Sequence, residues 1–287
     1  MVSSVAMPVL GGSKYELWVV DALVDYRRQS DWLEIAVVKG YALVRVQMPT
    51  SGGKSLQEAA YEAYEAVFAQ AKTRKMSLLR AWHWIPRILE EVGGLENYRW
   101  HNVGRQEAWK DFGPWQDGES VLPAATGIGV QEGPYVLEVL LTKYPVIPLQ
   151  NPRQVPFHRY SSKFGPKPPF CSRGALHLAP EGPEVWISGT ASIRNQYSWW
   201  KDNPREQVKE TFRNIRALIG DANLEAHGVK GFSLENLAHH RAYVKRPEHY
   251  AVISEELNLL VGDGSRCDLQ TDVCRQELEF EFEAIAR

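Results

Sequence analysis

The chain has 287 residues, a length that suits two domains of ordinary size. With 44% hydrophobic and 11% aromatic residues it carries enough apolar surface for a packed core, so disorder is not the expected state. Its net charge is −2, with Lys and Arg dispersed among acids, which excludes the basic stripe expected of a nucleic-acid binder.

The first half reads strand, strand, strand, helix, strand. Tyr15–Val20, Leu33–Val38 and Ala42–Val46 are apolar and partly alternating, as strands are. Residues 55–72 predict a helix: Ala59, Ala60, Ala63, Ala66, Val67 and Ala71 form an apolar stripe, and Ser55 is a fitting N-cap. Leu78–Ile85 reads as extended, with Pro86 after it and a short apolar piece at Ile88–Val92. Leu95–Phe112 is a second helix, which brings Tyr98, Asn102 and Arg105 near one face. Tyr135–Leu141 is a strand. Residues 144–169 are rich in Pro, Lys and Arg and lack periodicity, so they read as a connection between domains or a loop lining a shared cleft.

The second half repeats this order. Ala175–Leu178 and Val185–Gly189 are strands, and Arg205–Ile219 is a helix with Val208, Phe212, Ile215 and Leu218 on one side. Leu234–Val244 is extended or mixed, Pro247–Leu260 helical, and Leu278–Ile285 a closing strand. The expected fold class is α+β, two halves each a mixed sheet covered by helices on one face, divided as residues 1–148 and 149–287.

The closing strand alternates strictly. Leu278, Phe280, Phe282 and Ala284 share one face, and Glu279, Glu281 and Glu283 the other. Pattern alone leaves two readings open: a row of carboxylates facing water, or one carboxylate in a shielded pocket with a raised pKa, able to give a proton near neutral pH.

The second half resembles the Rid/YjgF family in three words: Trp186-Ile-Ser-Gly-Thr-Ala-Ser192, Gln207-Val-Lys-Glu-Thr-Phe-Arg-Asn214-Ile, and Glu281-Phe-Glu-Ala-Ile-Ala286. In that family the first glutamate of the last word enters a cleft; here it is Glu281. Further words narrow the resemblance to the chorismatases, a branch of that fold: Leu79-Arg-Ala-Trp-His-Trp-Ile-Pro86, Tyr98-Arg-Trp-His-Asn-Val-Gly-Arg105, Leu122-Pro-Ala-Ala125, Asn151-Pro-Arg-Gln154 and Phe164-Gly-Pro166. They cover nearly the whole chain in order. The resemblance implies two Rid/YjgF-like halves of the chorismate mutase-like barrel type, and an enzyme that cleaves chorismate to pyruvate and a ring product. The chain departs from the family pattern where Trp82-His-Trp84 replaces Trp-Asn-Tyr, at Arg194-Asn-Gln-Tyr-Ser-Trp-Trp200, and in an N-terminus shorter than the family's.

Chorismate carries two carboxylates and an enol ether. Two anions call for cations placed apart, and arginine suits bidentate recognition. Arg105 and Arg153 stand in matched words; Arg159, Arg173 and Arg194 are further candidates. Tyr98 and Tyr160 are candidates to hydrogen-bond carboxylate or ring hydroxyl, or else to pack. Cleaving an enol ether needs a proton on its methylene carbon, and a carboxylic acid kept protonated in a water-poor pocket supplies it. Glu281 is the expected general acid, with Glu279, nearer the strand's start, the least consequential of the three. Cys274 precedes Glu281 by seven residues, and the resemblance implies that a cysteine there goes with a hydroxybenzoate, expected as the 3-isomer. The same resemblance has Ala191 setting the room for the ring. Tyr197, Trp199 and Trp200 either cap the pocket or form an apolar patch.

No metal or redox cofactor is expected. The chain has no Cys-x-x-Cys or His-Glu-x-x-His, adjacent His239 and His240 diverge on any regular element, and no phosphate-binding glycine motif is present. The three cysteines, Cys171, Cys267 and Cys274, are too sparse for a disulfide scaffold and suit a reducing cytoplasm. No run of about 18 apolar residues predicts a membrane span, and no secretory signal is evident. The expected partner is a small dicarboxylate, with neither nucleic acid nor membrane, and a monomer is favoured because one chain can hold both halves of a site. Two other readings stay open: a non-catalytic Rid-like protein binding an aromatic acid, and a Rid-type enamine or imine hydrolase.

Overall fold

The structure is a computed structural model that describes residues 7–14, 18–50, 55–116, 119–262 and 266–287. The α+β class expected from the sequence is what it shows. The first half is built on a six-stranded sheet of β2 (Asp25–Arg28), β3 (Leu33–Val38), β4 (Tyr41–Met48), β5 (Ser77–Pro86), β6 (Ala124–Val130) and β7 (Tyr135–Thr142), in the order β6-β5-β7-β4-β3-β2. Only β5 and β6 pair in parallel; the other neighbours are antiparallel.

Two helices cover one face. Helix α1 (Leu56–Arg74) starts in a capping box: the Ser55 hydroxyl accepts from the Glu58 amide, and the Glu58 carboxylate accepts from the Ser55 amide at 2.8 Å. Its alanine stripe lets helix α2 (Asn97–Phe112) lie close. A Cβ on Gly104 would sit 2.0 Å from the Gln57 carbonyl oxygen, so only glycine allows this approach, and the approach seats the next residue, Arg105. The expected helices over 55–72 and 95–112 thus form within two residues of those limits. The strand expected at Tyr15–Val20 falls partly on residues outside the described ones; Trp18, Val19 and Val20 are not in a strand.

The second sheet contains β1 (Val9–Gly12), β8 (Val146–Leu149), β9 (Gly174–Ala179), β10 (Gly182–Ile187), β11 (Thr190–Ala191), β12 (Leu237–Val244), β13 (Arg266–Gln270) and β14 (Phe280–Ala286). The order is β1-β13-β12-β14-β10-β9-β8, with β11 also pairing β14. Residue 148 lies within β8, and β1, though N-terminal, pairs with β13, so both ends of the chain meet in this sheet. Helices α3 (Pro204–Ile219) and α4 (Tyr250–Val261) pack on its outer face through Val208, Phe212, Ile215, Ile253 and Leu257 against Phe280 and Phe282.

Each sheet has one face under its helices and turns the other toward its partner sheet. Trp82, Trp84, Ile128 and Leu140 of the first pack with Trp186, Tyr243, Leu269 and Ile285 of the second in one buried layer. The closing strand is therefore buried on both faces. Phe280 and Phe282 point to the helices, and Glu281 and Glu283 point between the halves, at 4% exposure each. The three-carboxylate row does not face water.

Candidate active site

Between the halves lies a cavity lined by α2, by β5 and the edge strand β6, and by β11 and β14 with their loops. It gathers seven of the candidate residues named from the sequence: Glu281, Cys274, Tyr98, Arg105, Tyr160, Arg173 and Ala191. The loop over 144–169 lines the cleft through Gln154, Tyr160 and Pro169 rather than spacing two units apart.

Glu281 is the second residue of β14, paired in register with Ala191 on one side and Tyr243 on the other. Its carboxyl fills the space left by a missing side chain: a Cβ on Gly189 would lie 2.0 Å from Glu281 Oε1. Burial, and then the charge of Glu283 two residues on, push its pKa up to about 8, partly opposed by Arg80. Glu281 therefore holds its proton at neutral pH.

Glu283 has the opposite environment. It accepts from Arg80 Nη2 at 2.6 Å, Thr126 Oγ1 at 2.5 Å, Trp82 Nε1 at 2.8 Å and Arg241 Nη1 at 3.0 Å. Although burial opposes ionisation, these cations and donors hold its carboxyl below the usual range. Thr126 joins the two carboxylates: its hydroxyl also accepts from the Gly189 amide at 2.9 Å, and its carbonyl accepts from His83 Nδ1 at 2.7 Å.

That bond fixes the His83 tautomer, so Nε2 accepts from the Tyr64 hydroxyl at 2.6 Å. His101 lies edge-on to His83 with centroids 4.8 Å apart. Burial, and then the Arg105 charge, hold both rings neutral. Neither histidine was singled out from the sequence, although both stand inside quoted words.

Three guanidinium groups line the cavity, and none is paired with a carboxylate among the described residues. Arg105 is 3% exposed, and its Nε and Nη2 are buried without a protein partner. It lies 5.5 Å over the Tyr64 ring. Arg173 donates to the Tyr160 hydroxyl at 2.9 Å and to the Val155 carbonyl at 3.1 Å. Arg275, which sequence reasoning missed beside Cys274, donates to the Gln196 carbonyl and the Ser198 hydroxyl. A buried guanidinium with two unpartnered nitrogens is costly unless a ligand completes it, so this is where an anion belongs.

The Cys274 thiol is pushed up to about 12, first by burial and then by Glu281, so it is a neutral thiol and not a thiolate nucleophile. Burial likewise raises the Tyr98 phenol well above its ordinary value. Outside the cavity a vestibule continues past Cys274 and Arg275 to Phe164, Lys163 and Tyr197. Lys163 sits 4.0 Å from the Tyr197 ring centroid and Arg275 4.5 Å from that of Phe164. Tyr197 thus borders the entrance, while Trp199 and Trp200 lie outside it, 39% and 41% exposed.

Two candidate arginines lie elsewhere. Arg153 does not line the cavity. It pairs with Glu210 and donates to Asn214 Oδ1 at 2.8 Å, and Asn214 in turn holds the Ala191 and Ile193 carbonyls. Arg194 is drawn to the same Glu210. Both are structural because a fully buried carboxylate must be paired. Glu279 is 1% exposed and is held by Arg246 and by His249 Nδ1 at 3.0 Å, outside the cavity lining.

A family model described as chorismatase FkbO/Hyg5-like, N-terminal, matches residues 16–141. A 3-hydroxybenzoate synthase of Streptomyces hygroscopicus is 30% identical over 280 residues, which cover 94% of this chain and 80% of that protein. A chorismatase of the same organism is 31% identical over 227 residues, 77% of this chain and 65% of that one. A chorismatase crystal structure superposes with a TM-score of 0.82 at 27% identity, covering 93% of this chain and 80% of the other. The likeness runs through both halves, and the chain belongs to the chorismatase family.

Proposed function

We propose that this chain cleaves the enolpyruvyl ether of chorismate, or of a close analogue, to pyruvate and a hydroxybenzoate, with Glu281 as general acid. The observation that carries this is a buried carboxyl, protonated at neutral pH, in a cavity with three guanidinium groups that lack carboxylate partners. Arg105, with two unpartnered nitrogens, and Arg173 with Tyr160 take the two substrate carboxylates; Tyr98 and Arg275 close the cavity toward the vestibule.

Glu281 gives its proton to the terminal methylene carbon. The π pair forms the new C–H bond, and positive charge develops at the ether-bearing carbon and its oxygen. The ionised Glu283 nearby favours that charge. The bond from the ether oxygen to the ring carbon then breaks, its electron pair staying on the oxygen that becomes the keto group of pyruvate, and the ring, left cationic, loses one proton to the Glu281 carboxylate as it becomes a hydroxybenzoate. Chorismate has the same atoms as pyruvate plus a hydroxybenzoate, so this outcome consumes no net water, whereas a dihydrodiol product would take up one. Cys274 beside the ring, with Ala191 opposite, favours the 3-hydroxybenzoate, as in the synthase the chain is similar to. No redox step is involved.

The chain works as one piece on this reading, because residues from both sides of a division at 148 and 149 line the cavity. A monomer suffices. Incubation with chorismate, a pyruvate assay and NMR of the ring product test the proposal; absence of pyruvate would reject it.

A further inference from the structure

We propose that Glu283 is a positioning residue of this enzyme: a carboxylate fixed in its ionised form by four side-chain donors, whose nearby charge keeps the proton on Glu281. This rests on the reading of Glu281 as proton donor and adds the device that loads it.

The geometry is specific. Glu281 and Glu283 alternate onto the same face of β14, both directed between the halves. The donors to Glu283 come from three other strands: Arg80 and Trp82 from β5, Thr126 from β6 and Arg241 from β12. Four donors on two oxygens leave little advantage in protonating it. By contrast, the groups of Glu281's own environment do not neutralise it. Tyr243, its register partner on β12, and Tyr98 on α2 are neutral phenols; His83 and His101 are neutral imidazoles; Cys274 is a neutral thiol. The cations facing the cavity are Arg105, Arg173 and Arg275, with Arg80 behind it on Glu283. Two carboxylates so close in a buried layer cannot both ionise without cost, and the donor set decides which one keeps the proton.

The assignment gives a function to side chains far from the substrate. Arg80 is 2% exposed and also donates to Thr126. Thr126 is the shared member: its hydroxyl donates to Glu283 and accepts from the amide of Gly189, the residue whose missing side chain leaves the space the Glu281 carboxyl fills. A purely structural ion pair would need no such link.

The test is a pH titration of the Glu281 carboxyl by difference infrared spectroscopy, with E281Q subtracted, beside the pH profile of kcat with chorismate. Wild type should titrate near 8. In E283Q the midpoint should fall by about one unit or more, and the alkaline limb of kcat should move with it. Activity of E283Q should then be lost about fivefold or more at pH 8 and largely restored near pH 6. E283D, which keeps the charge, should hold the midpoint close to wild type. An unmoved midpoint in folded E283Q, or a loss equal at every pH, would overturn the proposal. If E283Q does not fold, R241Q carries the test: removing one of the four donors that hold Glu283 ionised should move the Glu281 midpoint, and an unmoved midpoint would overturn the proposal. Because the infrared titration needs no turnover, a wild type that fails to release pyruvate yet shows these shifts would reject the function and leave the role of Glu283 standing.

Discussion

Glu210 and Glu281 are both buried carboxylates in the second half; three guanidinium groups contact the first, and three line the cavity that holds the second. At Glu210 the groups are Arg153, Arg194 and Arg213, all in contact with it, and burial is outweighed so that its carboxyl sits below the usual range. At Glu281 they are Arg105, Arg173 and Arg275, which bind carbonyls, hydroxyls or nothing, and burial pushes the carboxyl up to about 8. The first cluster is closed and holds Asn214 and the Ala191–Ile193 turn in place. The second is open at its centre. What marks a site for an anion is therefore not the number of arginines but the absence of a protein carboxylate to satisfy them.

This contrast is sharpest under mutation. Glu281→Gln should lower pyruvate release by about 10²–10⁴, the range for loss of a general acid, while the protein stays folded. Arg105→Ala should reduce kcat/KM by the equivalent of roughly 2–5 kcal/mol without a large stability loss, because its free N–H groups have no protein partner. The same change at Arg153 should do the reverse. It should cost about 1–2 kcal/mol of stability, as one of three partners of Glu210, with KM near wild type. Equal KM effects at Arg105 and Arg153 would break the distinction.

The two carboxylates also differ in the sign of their pH response. The folded-state pKa of Glu281 is raised from 4.5 to about 8. Between these values the folded protein keeps a proton the unfolded chain releases, so stability from this group declines as pH rises through that window. Glu281→Gln should flatten this decline and melt higher than wild type above pH 8 in thermal scans. Glu210 is depressed, so its contribution is present above the ordinary carboxyl range and is lost as pH falls through its lowered pKa. Activity, which needs the protonated Glu281, should be level below about 8 and fall tenfold per unit above it.

The smallest effect expected is at Cys274. Cys274→Ala should leave pyruvate release within about threefold of wild type and change the ring product, as read by NMR. An unchanged product would remove the thiol from product control.

Much of this was legible in the chain. Helix α1 is written in its alanine stripe and capping box, and β14 in strict alternation. Four site residues, Tyr98, Arg105, Ala191 and Glu281, were found because they stand in words that also carry the resemblance. The edge strand β6 was missed. Its Ala-Ala-Thr-Gly-Ile-Gly-Val has no alternation, since a strand buried on both faces does not need one. Thr126, the link between the two carboxylates, went with it. Arg153 was misplaced because sequence shows an arginine in a matched word but not the Glu210 that claims it from 57 residues away. The fate of Glu283 was equally hidden, because its four donors come from strands far apart in sequence.

The central claim is that the proton on the product methyl group comes from Glu281. The direct measurement is release of pyruvate from chorismate in D2O, followed by NMR for wild type and Glu281→Gln under identical conditions. Wild type should form pyruvate with one deuterium newly placed in its methyl group, and the variant should form it at least about 10²-fold more slowly. A folded Glu281→Gln variant that releases singly deuterated pyruvate at the wild-type rate would contradict the account.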